Sequence, residues 1–202
     1  MAETSKKTLA GKTIAVLATD GVEQIELQEP VKALRAEGAT VEVISLEPGW
    51  IQGFDHLTPD ERIAVDKTLK TTDASRYDGL VLPGGVANPD QLRTEQAALK
   101  FVRAFFDAGK PVAAICHAPW ILIEAGVAEG RTLTAYKSIR TDLRNAGAEV
   151  VDKEVVVDGG LVTSRCPDDL PAFNAAMIQA FAEAPRSGRR EAKSEEARPS
   201  AH

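Results

Sequence analysis

Short apolar runs alternate along this chain with longer stretches in which apolar residues recur every three or four positions. Thr13–Ala18 (TIAVLA) and Thr40–Leu46 (TVEVISL) are β-branched, apolar and short, as buried strands are. Between them Leu27, Val31 and Leu34 predict a helix over Glu26–Glu37, with Gly38 where a terminating glycine belongs. Residues 50–69 carry turn signals and little helical period, which predicts an irregular excursion or a hairpin. Further strands are predicted at Gly79–Leu82, Pro111–Ile115 and Thr132–Ala135. Helices are predicted at Asp90–Ala108, at His117–Ala125 before Gly126, and at Ser138–Ala146, with Ser138 as N-cap and Gly147 at the end. Val155–Val157 and Leu161–Thr163 flank Asp158-Gly159-Gly160, a hairpin signal, and Asp168 or Asp169 caps a last helix running to about Ala184.

Strands alternating with helices imply a mostly parallel sheet covered on both faces, an α/β three-layer sandwich. In such sheets the ligand crevice lies beyond the carboxyl ends of the strands. Glu23, the pair Gly84-Gly85, Cys116 and Tyr136 each follow a predicted strand, so they are expected along one edge. The folded unit is expected over residues 12–184, after an N-terminal extension of residues 1–11. Residues 185–202 have almost no apolar side chains and read as a flexible tail.

Composition narrows the function. Of the 202 residues 44% are hydrophobic and 27% charged, ordinary for a soluble globular protein. The formal charge is -6, and because residues 186–202 are net basic the remainder is more acidic still. That argues against general nucleic-acid binding, which needs a basic surface. No apolar run approaches the ~18 residues of a membrane span, and the polar start MAETSKKTLAGKT lacks a signal-peptide core. A cytoplasmic location is the expectation. Two cysteines make no disulfide framework, and His56, His117 and His202 show no ligand spacing with other donors, so no metal or cofactor is expected.

Cys116 carries the chemical interest. It ends an apolar run, and the residues two before and two after it are Ala114 and Ala118. A nucleophile elbow, the sharp strand-to-helix turn that lifts one side chain clear of a sheet, demands small residues there. A thiol at that turn sits where helix N–H groups favour the thiolate. Cys166, before a proline, reads as a small packing residue. His117 follows Cys116 directly, and adjacent helical residues point in different directions, so the two are not expected face to face. Glu23 is either a first-turn helix acid, like Glu26 and Glu29, or a carboxyl beside the thiol that tunes it. Gly84 and Gly85 offer backbone N–H groups at the same edge. With the N–H of His117 they are candidates for an oxyanion hole.

The segments DGVEQIEL (20–27), LVLPGG (80–85), VAAICHAPWILIEAGV (112–127), TAYKSIRTDLRNAGAEVVD (134–152) and VVVDGGLVTSRCPDDLPAF (155–173) together resemble the PfpI-type intracellular protease family. That family belongs to the class I glutamine-amidotransferase-like superfamily, which also holds the Parkinson-associated deglycase. The resemblance implies a flavodoxin-like sandwich and at least a homodimer. It assigns the nucleophile to Cys116, the following histidine to His117 and the pKa-tuning acid to Glu23. It implies a further acid supplied by a neighbouring subunit, for which Asp90 is the candidate; Asp is also a favoured helix N-cap. One departure is Ala118, where the family usually has glycine.

Three activities follow as expectations: a cysteine hydrolase acting on peptides, a glyoxalase or deglycase acting on small carbonyl compounds, and a stress-responsive redox sensor or chaperone working through oxidation of Cys116.

Overall fold

The computed structural model describes residues 8–185. In chain order the strands are β1 (Thr13–Leu17), β2 (Val22–Glu23), β3 (Thr40–Ser45), β4 (Gly49–Asp55), β5 (Thr58–Val65), β6 (Lys67–Thr68), β7 (Gly79–Leu82), β8 (Val112–Ile115), β9 (Thr132–Leu133), β10 (Glu149–Val150), β11 (Val155–Asp158) and β12 (Leu161–Ser164). The helices are α1 (Gln24–Ala36), α2 (Ala87–Leu92), α3 (Gln96–Asp107), α4 (Pro119–Glu124), α5 (Arg140–Asn145) and α6 (Leu170–Glu183). Seven strands form the central sheet in the order β11-β12-β8-β7-β1-β3-β6. Every pairing in it is parallel except β11 with β12, the predicted hairpin.

Both faces of this sheet are buried, and the side-chain period of two divides each strand between two cores. From β1, Ile14 and Val16 join Leu27, Val31 and Leu34 of α1 and Phe173, Met177 and Phe181 of α6. Ala15 and Leu17 join Leu99, Val102 and Phe105 of α3 and Ile121 and Leu122 of α4 on the other side. The result is the expected flavodoxin-like three-layer sandwich. Among the described residues no helix is long and apolar enough to cross a membrane.

Of the two alternatives for residues 50–69 the structure takes the hairpin: β4 and β5 pair antiparallel over residues 49–65, and the second strand is almost wholly exposed, which is why no buried period marks it. β4 also pairs with β2, laying the hairpin beside Glu23. Several other elements differ from the sequence reading. The single helix expected over 90–108 is two. Thr94 folds its hydroxyl back onto the Gln91 carbonyl at 2.8 Å, and Glu95 is extended before α3 begins. Ser138 does not cap α5: it lies in a 3-10 turn over Lys137–Ile139, and no side chain caps the helix that follows. Asp169 likewise leaves α6 uncapped and binds the Arg165 guanidinium. Within the expected N-terminal extension Leu9 is fully buried, and its N–H donates to the Glu37 carbonyl. Residues 1–7 and 186–202, with most of the expected tail, lie outside the described residues.

The far end of the sheet is held by α6. Lys12, itself buried, donates from Nζ to the carbonyls of Phe181 and Ala184, which the end of the helix leaves without partners. The Phe181 ring packs on Gly79 of β7, where an added Cβ would lie 3.1 Å from it. Phe181→Ala is therefore expected to destabilise the fold by about 3–5 kcal/mol. The midpoint of urea denaturation checks this; an unchanged midpoint would mean that α6 adds nothing to the core.

Candidate active site

The site is built on the connection from β8 to α4. Cys116 follows the last residue of β8 with φ +64, in the left-handed region that a non-glycine residue enters at a cost of about 1–3 kcal/mol. Hydrogen bonds on both sides hold it there. The Cys116 N–H donates to the Ser164 carbonyl at 3.1 Å, extending the β8–β12 ladder, and the Cys116 carbonyl accepts from the Tyr136 N–H at 2.9 Å. The turn closes as Ala118 N–H donates to the Ile115 carbonyl at 3.0 Å, and Pro119 opens α4. Ala114 and Ala118 are fully buried, as the elbow pattern requires.

The loop after β7 presses against this turn. A Cβ on Gly84 would stand 2.6 Å from the Cys116 Cβ and collide with Glu26 Oε2. Only glycine lets the two loops approach so closely. Gly85 takes φ +82 against the backbone of Gly21 and Glu23. Asn88, which drew no notice in the sequence, fastens the arrangement from a fully buried position. Its Nδ2 donates to the Pro83 and Gly84 carbonyls (2.8 and 3.0 Å), and its Oδ1 accepts the Thr19 N–H at 2.8 Å.

The carboxyl beside the thiol is that of Glu26, not Glu23. Glu26 is 0% exposed; its Oε2 accepts the Gly84 N–H at 2.9 Å, and its carboxyl lies next to the Cys116 thiol, the two meeting at Gly84. Glu23 belongs to β2, and strand geometry turns its carboxylate the other way, to the His56 N–H at 3.2 and 3.4 Å. One signal could have separated them. Glu26 lies on the buried face of α1 with Leu27, Pro30, Val31 and Leu34, so it is a charged residue on an apolar stripe.

Burial raises the Glu26 carboxyl to about 8, reinforced by the nearby charge of Glu23 and opposed by its hydrogen bonds to Cys116, Gly84 and Gly85. Burial also raises the Cys116 thiol, as does an ionised Glu26, whereas the N–H groups of Gly85 and His117 lower it. At neutral pH a carboxyl near 8 holds its proton. The repulsion is then gone, and the carboxyl becomes a donor to sulfur. The Gly84 N–H, expected in the oxyanion hole, is spent on Glu26; those of Gly85 and His117 are the groups that lower the thiol's pKa.

His117 does meet Cys116, contrary to the helical expectation. Nδ1 lies 3.1 Å from Sγ. The rule for adjacent helical residues does not apply, because the left-handed Cys116 precedes the helix and swings the two side chains together. His117 Nε2 lies 3.1 Å from Ser138 Oγ, and the ring stacks on Tyr136 at 4.6 Å. Burial lowers the imidazole's pKa, leaving it neutral at pH 7. Asp90 is exposed in the first turn of α2, while both ring nitrogens of His117 are engaged within the chain. Cys166 is half-buried at the turn before α6, its thiol raised by burial and by Asp169.

Glu23, Asp55 and His56 bring one donor atom each within 4.8 Å of one another, so His56, expected to lack ligand neighbours, has two. Asp55 already binds His56 Nδ1 at 2.7 Å and raises its pKa.

Comparison with known proteins agrees with this geometry. The description DJ-1/PfpI family fits residues 12–180. The chain is 47% identical over 169 residues to General stress protein 18 of Bacillus subtilis, covering 83% of this chain and 96% of that protein. It is 46% identical over 169 residues to Protein/nucleic acid deglycase 2 of Escherichia coli, again covering 83% and 96%. Among solved structures, Drosophila melanogaster DJ-1beta superposes with a TM-score of 0.78 at 31% identity, covering 85% of this chain and 90% of that one. With a match over most of its length and an elbow cysteine set against a buried glutamate, the chain belongs to the DJ-1/PfpI family.

Proposed function

We propose that this protein is a cysteine-dependent enzyme of stress defence that acts on small 1,2-dicarbonyl compounds or the adducts they form, with Cys116 as nucleophile, Glu26 as the carboxyl acid/base and His117 as the thiol's base. One observation carries the reading: the thiol is only 6% exposed and sits between a buried carboxyl held near pKa 8 and a neutral imidazole. A small aldehyde reaches such a sulfur more readily than an extended peptide does, and the deglycase name of a relative at 46% identity points the same way.

The chemistry needs no external oxidant. The Cys116 proton passes to His117 Nδ1, and sulfur bonds to the aldehyde carbon. The carbonyl π pair goes to oxygen, which takes a proton and leaves a hemithioacetal. A base then removes the proton from the former aldehyde carbon, and the pair moves toward the neighbouring carbonyl. Reprotonation at that second carbon, with the second oxygen taking a proton and the first oxygen giving up its own, gives a thioester. Water cleaves it to a 2-hydroxy acid and returns the thiol. Glu26, able to hold or release a proton near pH 8, suits the carbon-to-carbon transfer. Gly85 and His117 N–H groups suit the developing oxyanion. An Asp90 from a second copy, expected from the resemblance, is not needed to complete this set.

A second reading, a peptide hydrolase, draws support from the 3.1 Å contact between Cys116 and His117. Cys116→Ser is expected to lower 2-hydroxy acid formation from methylglyoxal by at least about 100-fold with the fold intact. Full activity in this variant would remove Cys116 from the mechanism. Cys116-dependent cleavage of a labelled protein without dicarbonyl turnover would replace the proposal with the peptidase. A thiol that peroxide oxidises but that turns over neither substrate would replace it with the redox sensor.

Glu26 yields a second expectation, in stability. Its carboxyl rises from the ordinary 4.5 to about 8 in the fold, so between these values the unfolded chain has lost a proton that the folded chain keeps. The stabilisation is complete below pH 4.5 and is lost as pH rises through 8, a change on the order of 4–5 kcal/mol. Glu26→Gln cannot ionise and should lose less stability than the native chain between pH 5 and 9 in urea denaturation. Parallel pH dependences would show that the carboxyl does not titrate in this way.

A further inference from the structure

We propose that Ser138 is the residue that positions His117 for proton exchange with Cys116, and that it does so from within the same chain. The proposal rests on the reading of Cys116 as a reactive thiol, whatever electrophile it meets. Its basis is a continuous line of contacts: Cys116 Sγ to His117 Nδ1 at 3.1 Å, and His117 Nε2 to Ser138 Oγ at 3.1 Å.

The serine has no competing structural duty at this position. Its place before α5 suggests a helix cap, yet α5 starts at Arg140 and takes no side-chain cap. The side chain instead reaches across to the imidazole. The rest of the surroundings fix the ring plane but leave its nitrogens alone. Tyr136 stacks on the ring at 4.6 Å with planes 29° apart, and Trp120 lies at 5.5 Å, tilted by 59°. Trp120 is itself anchored, donating from Nε1 to Asp142 at 2.8 Å with the Arg93 guanidinium over its face. Stacking stops the ring from tipping. Only a hydrogen bond at Nε2 stops it from turning within its plane and decides which nitrogen carries the proton.

A hydroxyl has a property that a carboxylate lacks here: it both donates and accepts. With Nε2–H donating to Oγ, Nδ1 presents its lone pair to the thiol proton. After transfer the imidazolium still donates from Nε2 to the same oxygen. On return of the proton nothing has to move but hydrogen. Because Ser138 is uncharged, it does not raise the basicity of a ring that burial holds neutral. The other titratable groups around the ring are Cys116, with Glu26 of α1 behind it, and Tyr136 on the stacked face. Asp142 and Arg93 engage Trp120 instead, and Lys137 is exposed beside Ser138 in the turn.

The test reads the thiol directly. In a Cys166→Ser background, the rate of Cys116 alkylation by iodoacetamide is followed against pH for Ser138→Ala, Ser138→Thr and Ser138→Asp. Ser138→Ala should slow alkylation at pH 7 about ten-fold, the scale of one hydrogen bond, and Ser138→Thr should restore it to within about two-fold. Ser138→Asp should move the alkylation midpoint to lower pH by about one unit, because a carboxylate stabilises the imidazolium that pairs with the thiolate. Ser138 is exposed, so the urea midpoints of Ser138→Ala and Ser138→Thr should match the parent and separate positioning from folding. An alanine profile superimposable on the parent, or a threonine variant no faster than alanine, would overturn the proposal. Alkylation requires no substrate, so failure of the dicarbonyl reading would leave this result standing. A Cys116→Ser protein that still turned over substrate would refute that reading alone.

Discussion

The site depends on one backbone conformation, the left-handed φ of +64 at Cys116. An ordinary strand-to-helix turn would leave the sulfur within the sheet edge and point His117 away from it. The left-handed residue breaks the strand direction in one step, lifts Sγ toward the carboxyl of α1, and throws His117 back onto it. Such a conformation persists only where its surroundings over-determine it. Here the β8–β12 ladder holds the Cys116 N–H and Tyr136 holds its carbonyl. Ala114, Ala118 and Gly84 leave room on three sides. The packed sheet is thus the source of the strain energy stored at the cysteine.

A second constraint follows from burial. Among the described residues Glu26 is fully buried and forms no ion pair, an arrangement whose ionised form is expensive. The chain resolves this by protonation rather than by pairing. The Gly84 N–H satisfies Oε2, and among the described residues Oε1 meets no hydrogen-bond partner. The same glycine whose missing Cβ admits the carboxyl also supplies its donor, so the loop after β7 serves the acid on α1 more than it serves an oxyanion hole.

Most of the sheet was legible in the sequence, because strands buried on both faces are apolar runs: β1, β7 and β8 are of that kind, and β3 shows it through Val41, Val43 and Ile44. The elbow was legible too, from the small residues around Cys116. The hairpin of β4 and β5 was legible only as one of two alternatives, since the exposed strand β5 has no buried face and hence no period. The split between α2 and α3 turns on one threonine hydroxyl, which spacing alone does not reveal. In the site, the choice between Glu23 and Glu26 required the start of α1 to be placed within one residue. With Gln24 as the first helical residue, Glu26 falls on the buried stripe and Glu23 remains in a strand facing the hairpin. The contact of His117 with Cys116 escapes a linear reading for a related reason: the rule for residues inside a helix does not hold across a turn that is not helical. Asn88 and Ser138 act through tertiary hydrogen bonds, and neither carries a pattern that a linear reading could detect.

A buried thiol with a raised pKa is at first sight a poor nucleophile. The objection holds for loss of the proton to bulk water, which would leave an anion in a desolvated pocket. It does not hold for transfer to His117. Before transfer the thiol, the protonated Glu26 and the neutral imidazole carry no net charge. Moving the proton 3.1 Å across to Nδ1 creates an ion pair but still no net charge, and its two members attract each other in the low-dielectric surroundings that penalise either alone. The Glu26 carboxyl and the N–H groups of Gly85 and His117 then face the sulfur as donors already in place. Burial thus suppresses the free thiolate and, on the proposed mechanism, leaves available the thiolate paired with the His117 imidazolium.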